Sequence, residues 1–151
     1  MFFDSLTLVT GGFDPIHSGH IKYFEDAKTF SDNLVVGLNS DKWLINKKGQ
    51  YFQTWKERAN IISHLDMVNI VIDWDDSDNS ACRGIQKCFQ LTNKIYFANG
   101  GDRSSNNTPE LKRYGLDPRV EFVWSVGGDD KINSSSWILD KYYQERESIC
   151  R

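Results

Sequence analysis

The chain has 151 residues with 39% hydrophobic and 13% aromatic content, enough to bury a full core and too apolar for disorder. A net charge of −3, with Lys47-Lys48 and Lys112-Arg113 the only adjacent basic pairs, leaves no footprint for nucleic acid, and no apolar run approaches a membrane span. Residues 1–5 lack a basic region, so no signal peptide is expected, and an apolar run at 6–9 reads as a buried first strand. Further strands are expected at 34–38, 68–72, 95–98 and 120–124. Helical stretches separate them. Residues 21–27 have helical spacing, and Thr54 with Glu57 forms a capping box that opens a helix through residue 65. Thr108-Pro109-Glu110 reads as an N-cap, a first-turn proline and an acid suited to the dipole, with Gly115 as the stop. A last helix starts at Ser134 or a neighbour and runs to about residue 147. Alternating β and α segments imply an α/β domain with a parallel sheet, and no linker divides residues 1–151. Cys82, Cys88 and Cys150 are odd in number and lack CxxC spacing, which points to reduced thiols in a cytoplasmic setting rather than disulfides or zinc.

The most informative segment is Thr10-Gly11-Gly12-Phe13-Asp14-Pro15-Ile16-His17-Ser18-Gly19-His20. Two glycines leave a strand end without obstructing side chains, and two histidines follow, three residues apart, where a helix begins. A helix start presents unpaired N–H groups and the positive end of a dipole, so this combination makes a phosphate site with built-in donors.

This segment resembles the HxGH signature of the cytidylyltransferase-like nucleotidyltransferases. Three later segments resemble the same family in the same order: Lys47-Lys48-Gly49 followed by Glu57-Arg58, Asn99-Gly100-Gly101-Asp102, and Ser134-Ser135-Ser136-Trp137. The resemblance spans about residues 6–142 and implies a Rossmann-like sheet in the order 3-2-1-4-5. In that order the ends of strands one and four, with their glycine-rich segments, meet across one crevice at the switch point. The implied reaction transfers a nucleoside monophosphate from a nucleoside triphosphate to a phosphorylated small molecule. His17 and His20 would then stabilise the transition state, with Lys48, on a glycine-containing loop, as a mobile cation and Lys47 as its nearest competitor. Thr10, Gly11, Gly12, Phe13 and Asp14 would belong to the nucleotide site, Asp14 by ordering the first loop rather than by holding metal.

Ser134, Ser135 and Ser136 are read as phosphate contacts, the alternative being a plain serine cap. Gly101 and Asp102 are read as approaching the nucleotide, the alternative being a simple turn. Arg58 either binds phosphate or pairs with an acid; Lys47, Arg58 and Arg103 are the candidate acceptor contacts. Magnesium is expected to ride on the nucleotide, since the sequence offers no carboxylate cluster to hold it. A homodimer is the expected assembly, with neither nucleic acid nor membrane as partner.

Among branches of the family, histidine at position 17 argues against the phosphopantetheine adenylyltransferases, which usually carry threonine there. The alcohol-phosphate cytidylyltransferases typically place Arg-Thr-Glu-Gly before the last hydroxyls, where this chain has Asp129-Asp130-Lys131-Ile132-Asn133. The heptose 1-phosphate adenylyltransferase domain resembles the chain best, which favours ATP and a sugar phosphate. The alternatives are CTP with a polyol or amino-alcohol phosphate, and a nucleotide-binding module without catalysis.

Overall fold

The computed structural model describes residues 2–101, 108–128 and 134–149. Five parallel strands, β1 (Leu6–Gly11), β2 (Leu34–Leu38), β3 (Ile70–Ile72), β4 (Ile95–Gly100) and β5 (Val120–Val126), lie in the expected order β3-β2-β1-β4-β5. The helices are α1 (Ser18–Ala27), α2 (Asp41–Lys48), α3 (Trp55–Ser63), α4 (Cys82–Cys88), α5 (Pro109–Tyr114) and α6 (Ser135–Ile149). From β1 the chain winds outward through β2 to β3, then returns to place β4 on the other side of β1. That reversal opens a crevice at the carboxyl ends of β1 and β4.

The strands are legible because a parallel sheet is buried on both faces and reads as nearly continuous apolar sequence. Their side chains alternate between two cores. Leu6, Leu8, Val35, Ile95 and Phe97 pack with Ile85 and Cys88 of α4 and with Tyr114 of α5. Val9, Leu34, Val36, Leu38 and Ala98 pack with Phe24 and Ala27 of α1 and with Ile62 of α3. Each fully buried Leu or Ile side chain contributes about 1.5–3 kcal/mol. Cys82 and Cys88 are free thiols inside the first core, where burial pushes the Cys88 pKa up to about 12.

Thr54 and Thr108 cap α3 and α5 as expected, each accepting from the third backbone N–H beyond it. Three details refine the sequence expectation. Residues 41–48 form a helix, capped by Ser40 and ended by Gly49 at φ 87°, so Lys48 sits on a helix end rather than in a loop. Glu110, in the first turn of α5 as expected, is also buried and accepts from the Ala81 N–H, joining α5 to the start of α4. β3 is shorter than residues 68–72 and β5 longer than 120–124. Among the described residues, no helix is long and apolar enough to cross a membrane.

Candidate active site

A cleft of about 410 Å³ opens at the carboxyl ends of β1 and β4, within the range of small-molecule sites. Thr10, Gly11, Gly12, Phe13, His17 and His20 line it from the β1–α1 segment, Lys47 and Lys48 from α2, and Asn99, Gly100 and Gly101 from β4 and its exit. Ser134, Ser135 and Ser136 close it from the start of α6. Residues from each of the four ordered motifs thus meet in one cavity, although Glu57 and Arg58 do not line it. Asp102 and Arg103 lie outside the described residues.

The histidine pair is built by helix capping. His17 is the N-cap of α1, and its Nδ1 accepts from the Gly19 N–H at 3.1 Å. His20, at the third helical position, accepts on Nδ1 from the His17 N–H at 3.3 Å. The rings stack at 3.7 Å between centroids and 24° between planes, and the edge-on Phe13 ring supports His20 from 4.9 Å. A backbone N–H only donates, so each Nδ1 is deprotonated and the proton of each neutral imidazole sits on Nε2. Burial first, then the neighbouring His17 ring and the Lys48 ammonium, bring the His20 pKa down to about 3. His20 is therefore a neutral ring whose Nε2–H is available to donate. A Cβ on Gly12 would stand 2.7 Å from Leu44 Cδ2, so a larger residue there would displace the Leu44 side chain.

Lys48 shares the cleft with His20, and burial holds its pKa below the ordinary lysine value, with Lys47 and Arg58 acting the same way and Asp14 opposing. Lys47 lies 4.6 Å from the centroid of the Trp43 ring, one helical turn earlier.

One expected contact, that of Arg58, is corrected, and the loop-ordering role expected of Asp14 finds its partners. Arg58 is buried and does not line the cleft; its guanidinium donates to the carbonyls of Gln53, Gly12 and Asn39 at 2.8–3.1 Å and to Asp41 Oδ1 at 2.7 Å. It clamps the β1 turn, the end of β2, α2 and α3 together, which is the acid-pairing alternative rather than phosphate binding. Asp14 is likewise turned away from the cleft, its carboxylate accepting from the N–H groups of Phe52 (2.6 Å) and Gln53 (2.7 Å). It fixes the loop before α3 to the first turn.

The serines divide their tasks. Ser134 Oγ accepts from the Trp137 N–H at 3.0 Å, and Ser135 Oγ donates to the Pro15 carbonyl at 2.8 Å, tying α6 to the histidine loop. Ser136 lines the cleft from the first turn of α6.

Sequence reasoning passed over several lining residues. Tyr23 lines the wall and donates its hydroxyl to the Ala98 carbonyl. Gly127 and Gly128, both near φ +87°, carry the chain out of β5 along the rim, and a Cβ on Gly127 would press on the Tyr23 backbone at 3.1 Å. A glycine pair at a strand exit is the signal that could have found them. Trp43 and Leu44 gave none beyond ordinary apolar residues on a short helix.

No group of three or more His, Cys, Asp or Glu among the described residues could hold a metal ion. The Asp76 carboxylate, near the cleft, is engaged by Asn39 Nδ2, Ser40 N and Ser40 Oγ at 2.8–3.1 Å.

The defining pattern of the family described as cytidylyltransferase-like matches residues 8–147. The chain is 32% identical over 149 residues to the bifunctional protein HldE of Geobacter metallireducens, covering 93% of this chain and 28% of that protein. It is 44% identical over 137 residues to the HldE of Geotalea uraniireducens, covering 85% of this chain and 26% of that protein. The chain therefore corresponds to about a quarter of these relatives' length. A crystal structure titled as the lipopolysaccharide core biosynthesis protein from Thermoplasma volcanium superposes with a TM-score of 0.62 at 25% identity, covering 80% of this chain and 93% of that one. With sequence match, sheet order and convergent motifs in agreement, the chain belongs to the cytidylyltransferase-like family of nucleotidyltransferases.

Proposed function

We propose that the protein transfers a nucleoside monophosphate, with ATP as donor, to a sugar phosphate and releases pyrophosphate. The observation that carries this reading is the stacked His17–His20 pair, fixed by backbone donors and neutral at His20, in a cleft also lined by Lys48 and the α6 serines. The likeness to HldE and to the heptose 1-phosphate adenylyltransferase branch supports ATP and a sugar 1-phosphate as the pair.

In this mechanism an ionised oxygen of the acceptor phosphate attacks the α-phosphorus, one P–O bond forms, the bond to the β-phosphate breaks, and pyrophosphate leaves. The nucleophile is already anionic, so catalysis rests on positioning and charge stabilisation. Nε2–H of His17 and of His20 donates to α-phosphate oxygens as negative charge gathers there. Neutral donors suit this task because they require no proton transfer during the step. Lys48 stabilises the same charge. The start of α6, with Ser134 and Ser136, receives the β- and γ-phosphates, while Gly101 and Asp102 approach the nucleoside. The divalent ion enters as part of the Mg–nucleotide substrate, since the nearby carboxylates of Asp14 and Asp76 are engaged in hydrogen bonds. We place this activity in the cytoplasm and in a homodimer, the latter checked by sedimentation.

Pyrophosphate release by the purified protein, with each of the four common nucleoside triphosphates against phosphorylated sugars and alcohols, tests the reading. ATP with a sugar 1-phosphate is expected to be the best pair. Preference for CTP with glycerol 3-phosphate would replace it by the cytidylyltransferase alternative.

A further inference from the structure

Beyond Trp43 lies a second groove of about 990 Å³, reaching from α2 to the segment after β3. Thr10, Asn39, Trp43 and Lys47 line both this groove and the nucleotide cleft, whereas His17, His20 and Lys48 line only the cleft. Of the four shared residues Lys47 alone is ionisable. A phosphate bound at this boundary would need a cation, and Lys47 is placed to supply it.

Lysine ammonium groups ordinarily roam on four flexible carbons. Here the Trp43 ring receives the Lys47 ammonium on its face, 4.6 Å from the centroid. Trp43 is itself anchored: its Nε1–H donates to Asn79 Oδ1 at 2.8 Å. Asn79 stands at φ 60°, a left-handed conformation that asparagine tolerates, and its N–H bonds back to the Asp76 carbonyl at 2.9 Å. The Asp76 carboxylate in turn holds Ser40, the cap of α2. The helix that carries Lys47 and the loop after β3 therefore form one braced unit.

We propose, resting on the reading above, that Trp43 and Asn79 are positioning residues that present Lys47 to the acceptor phosphate, and that the second groove takes the rest of a phosphorylated sugar. Beyond the phosphate position the groove is lined by Asn46, Asp75 and Ser77, hydrogen-bonding groups that a polyhydroxylated ring uses, with Trp74 in its wall. A quaternary ammonium such as phosphocholine's would have to displace Lys47 from the Trp43 face, the aromatic face at the boundary. This assignment separates Lys47, a candidate acceptor contact, from Lys48, which serves the α-phosphate.

The test is steady-state kinetics with saturating Mg–ATP and, as probes, mannose 1-phosphate, glycerol 3-phosphate and phosphocholine. Mannose 1-phosphate should be the best of the three. Lys47→Ala should raise its KM about tenfold or more, the scale of one lost charge-assisted contact, with the ATP KM within about twofold. Trp43→Ala should raise the acceptor KM in the same direction, Trp43→Phe should restore most of it, and Asn79→Ala should fall between. Circular dichroism checks that the variants fold; an ordinary structural role would not separate acceptor KM from nucleotide KM. If Lys47→Ala leaves the acceptor KM unchanged, or shifts both constants alike, while wild type still turns over the sugar phosphate, this inference fails and the proposed function stands. Wild type preferring phosphocholine also overturns it. Absence of pyrophosphate release by wild type with every acceptor and nucleotide overturns the reading and the inference together.

Discussion

His20 should remain neutral in the free protein far below the pH at which an ordinary histidine charges. Its pKa falls from 6.5 to about 3, chiefly through burial and then through the neighbouring His17 ring and the Lys48 ammonium. In the unfolded chain the imidazole titrates at its ordinary value, so between pH 6.5 and 3 the unfolded state binds a proton that the folded state refuses. Stability contributed by the neutral ring is therefore complete above pH 6.5 and is lost as the solution is acidified. The slope approaches about 1.4 kcal/mol per pH unit, or about 2 kcal/mol by pH 5. Urea unfolding of wild type and His20→Gln at a series of pH values isolates this contribution, because the variant lacks the titrating ring. The acid-side loss should be steeper in wild type by about that slope. NMR of the imidazole provides the direct companion reading, with His20 resonances stationary from pH 8 to 5. An imidazole titrating near 6.5, or parallel stability profiles, would refute the reasoning and return His20 to the class of imidazolium donors.

His17→Ala and His20→Ala should each lower kcat by about a hundredfold or more, the scale of one transition-state donor, while nucleotide affinity falls much less; calorimetry beside kinetics checks both. Lys48→Ala should lower turnover with binding of free ATP comparatively intact. It should also raise the His20 pKa, because a positive neighbour is removed, and the NMR titration reads that shift. Arg58→Met should destabilise the fold by about 3–5 kcal/mol, since Asp41 loses its partner and three carbonyls lose their donors; Arg58→Lys should recover only part, measured by urea midpoint.

The sheet was readable because its strands are buried on both faces, so Leu34 to Leu38 and Ile95 to Ala98 appear as unbroken apolar runs. The histidine turn was equally readable, its glycines, imidazoles and helix start being contiguous in sequence. Helix α2 escaped notice because it buries Leu44 alone and shows little amphipathic pattern, although Ser40-Asp41 and Lys47-Lys48-Gly49 mark its two ends by ordinary capping rules. The task of Arg58 was hidden for a different reason. Its partners Gly12, Asn39, Asp41 and Gln53 come from four segments that only the folded sheet brings together. Asp14 followed the same logic: its role as organiser of the first loop was legible, but its partners at Phe52 and Gln53 were not. The Trp43–Asn79 brace spans 36 residues and leaves no local signature.

The central claim is that the α-phosphate of the nucleotide is the electrophile in this cleft. The direct measurement incubates the protein with a sugar 1-phosphate and ATP labelled with phosphorus-32 at either the α- or the γ-position, followed by separation of the products. Nucleotidyl transfer predicts that α-label moves into a sugar nucleotide while γ-label leaves as pyrophosphate, and that both fall together by about a hundredfold or more in His17→Ala. Label from the γ-position appearing on the sugar phosphate, with ADP as the co-product, would contradict the account.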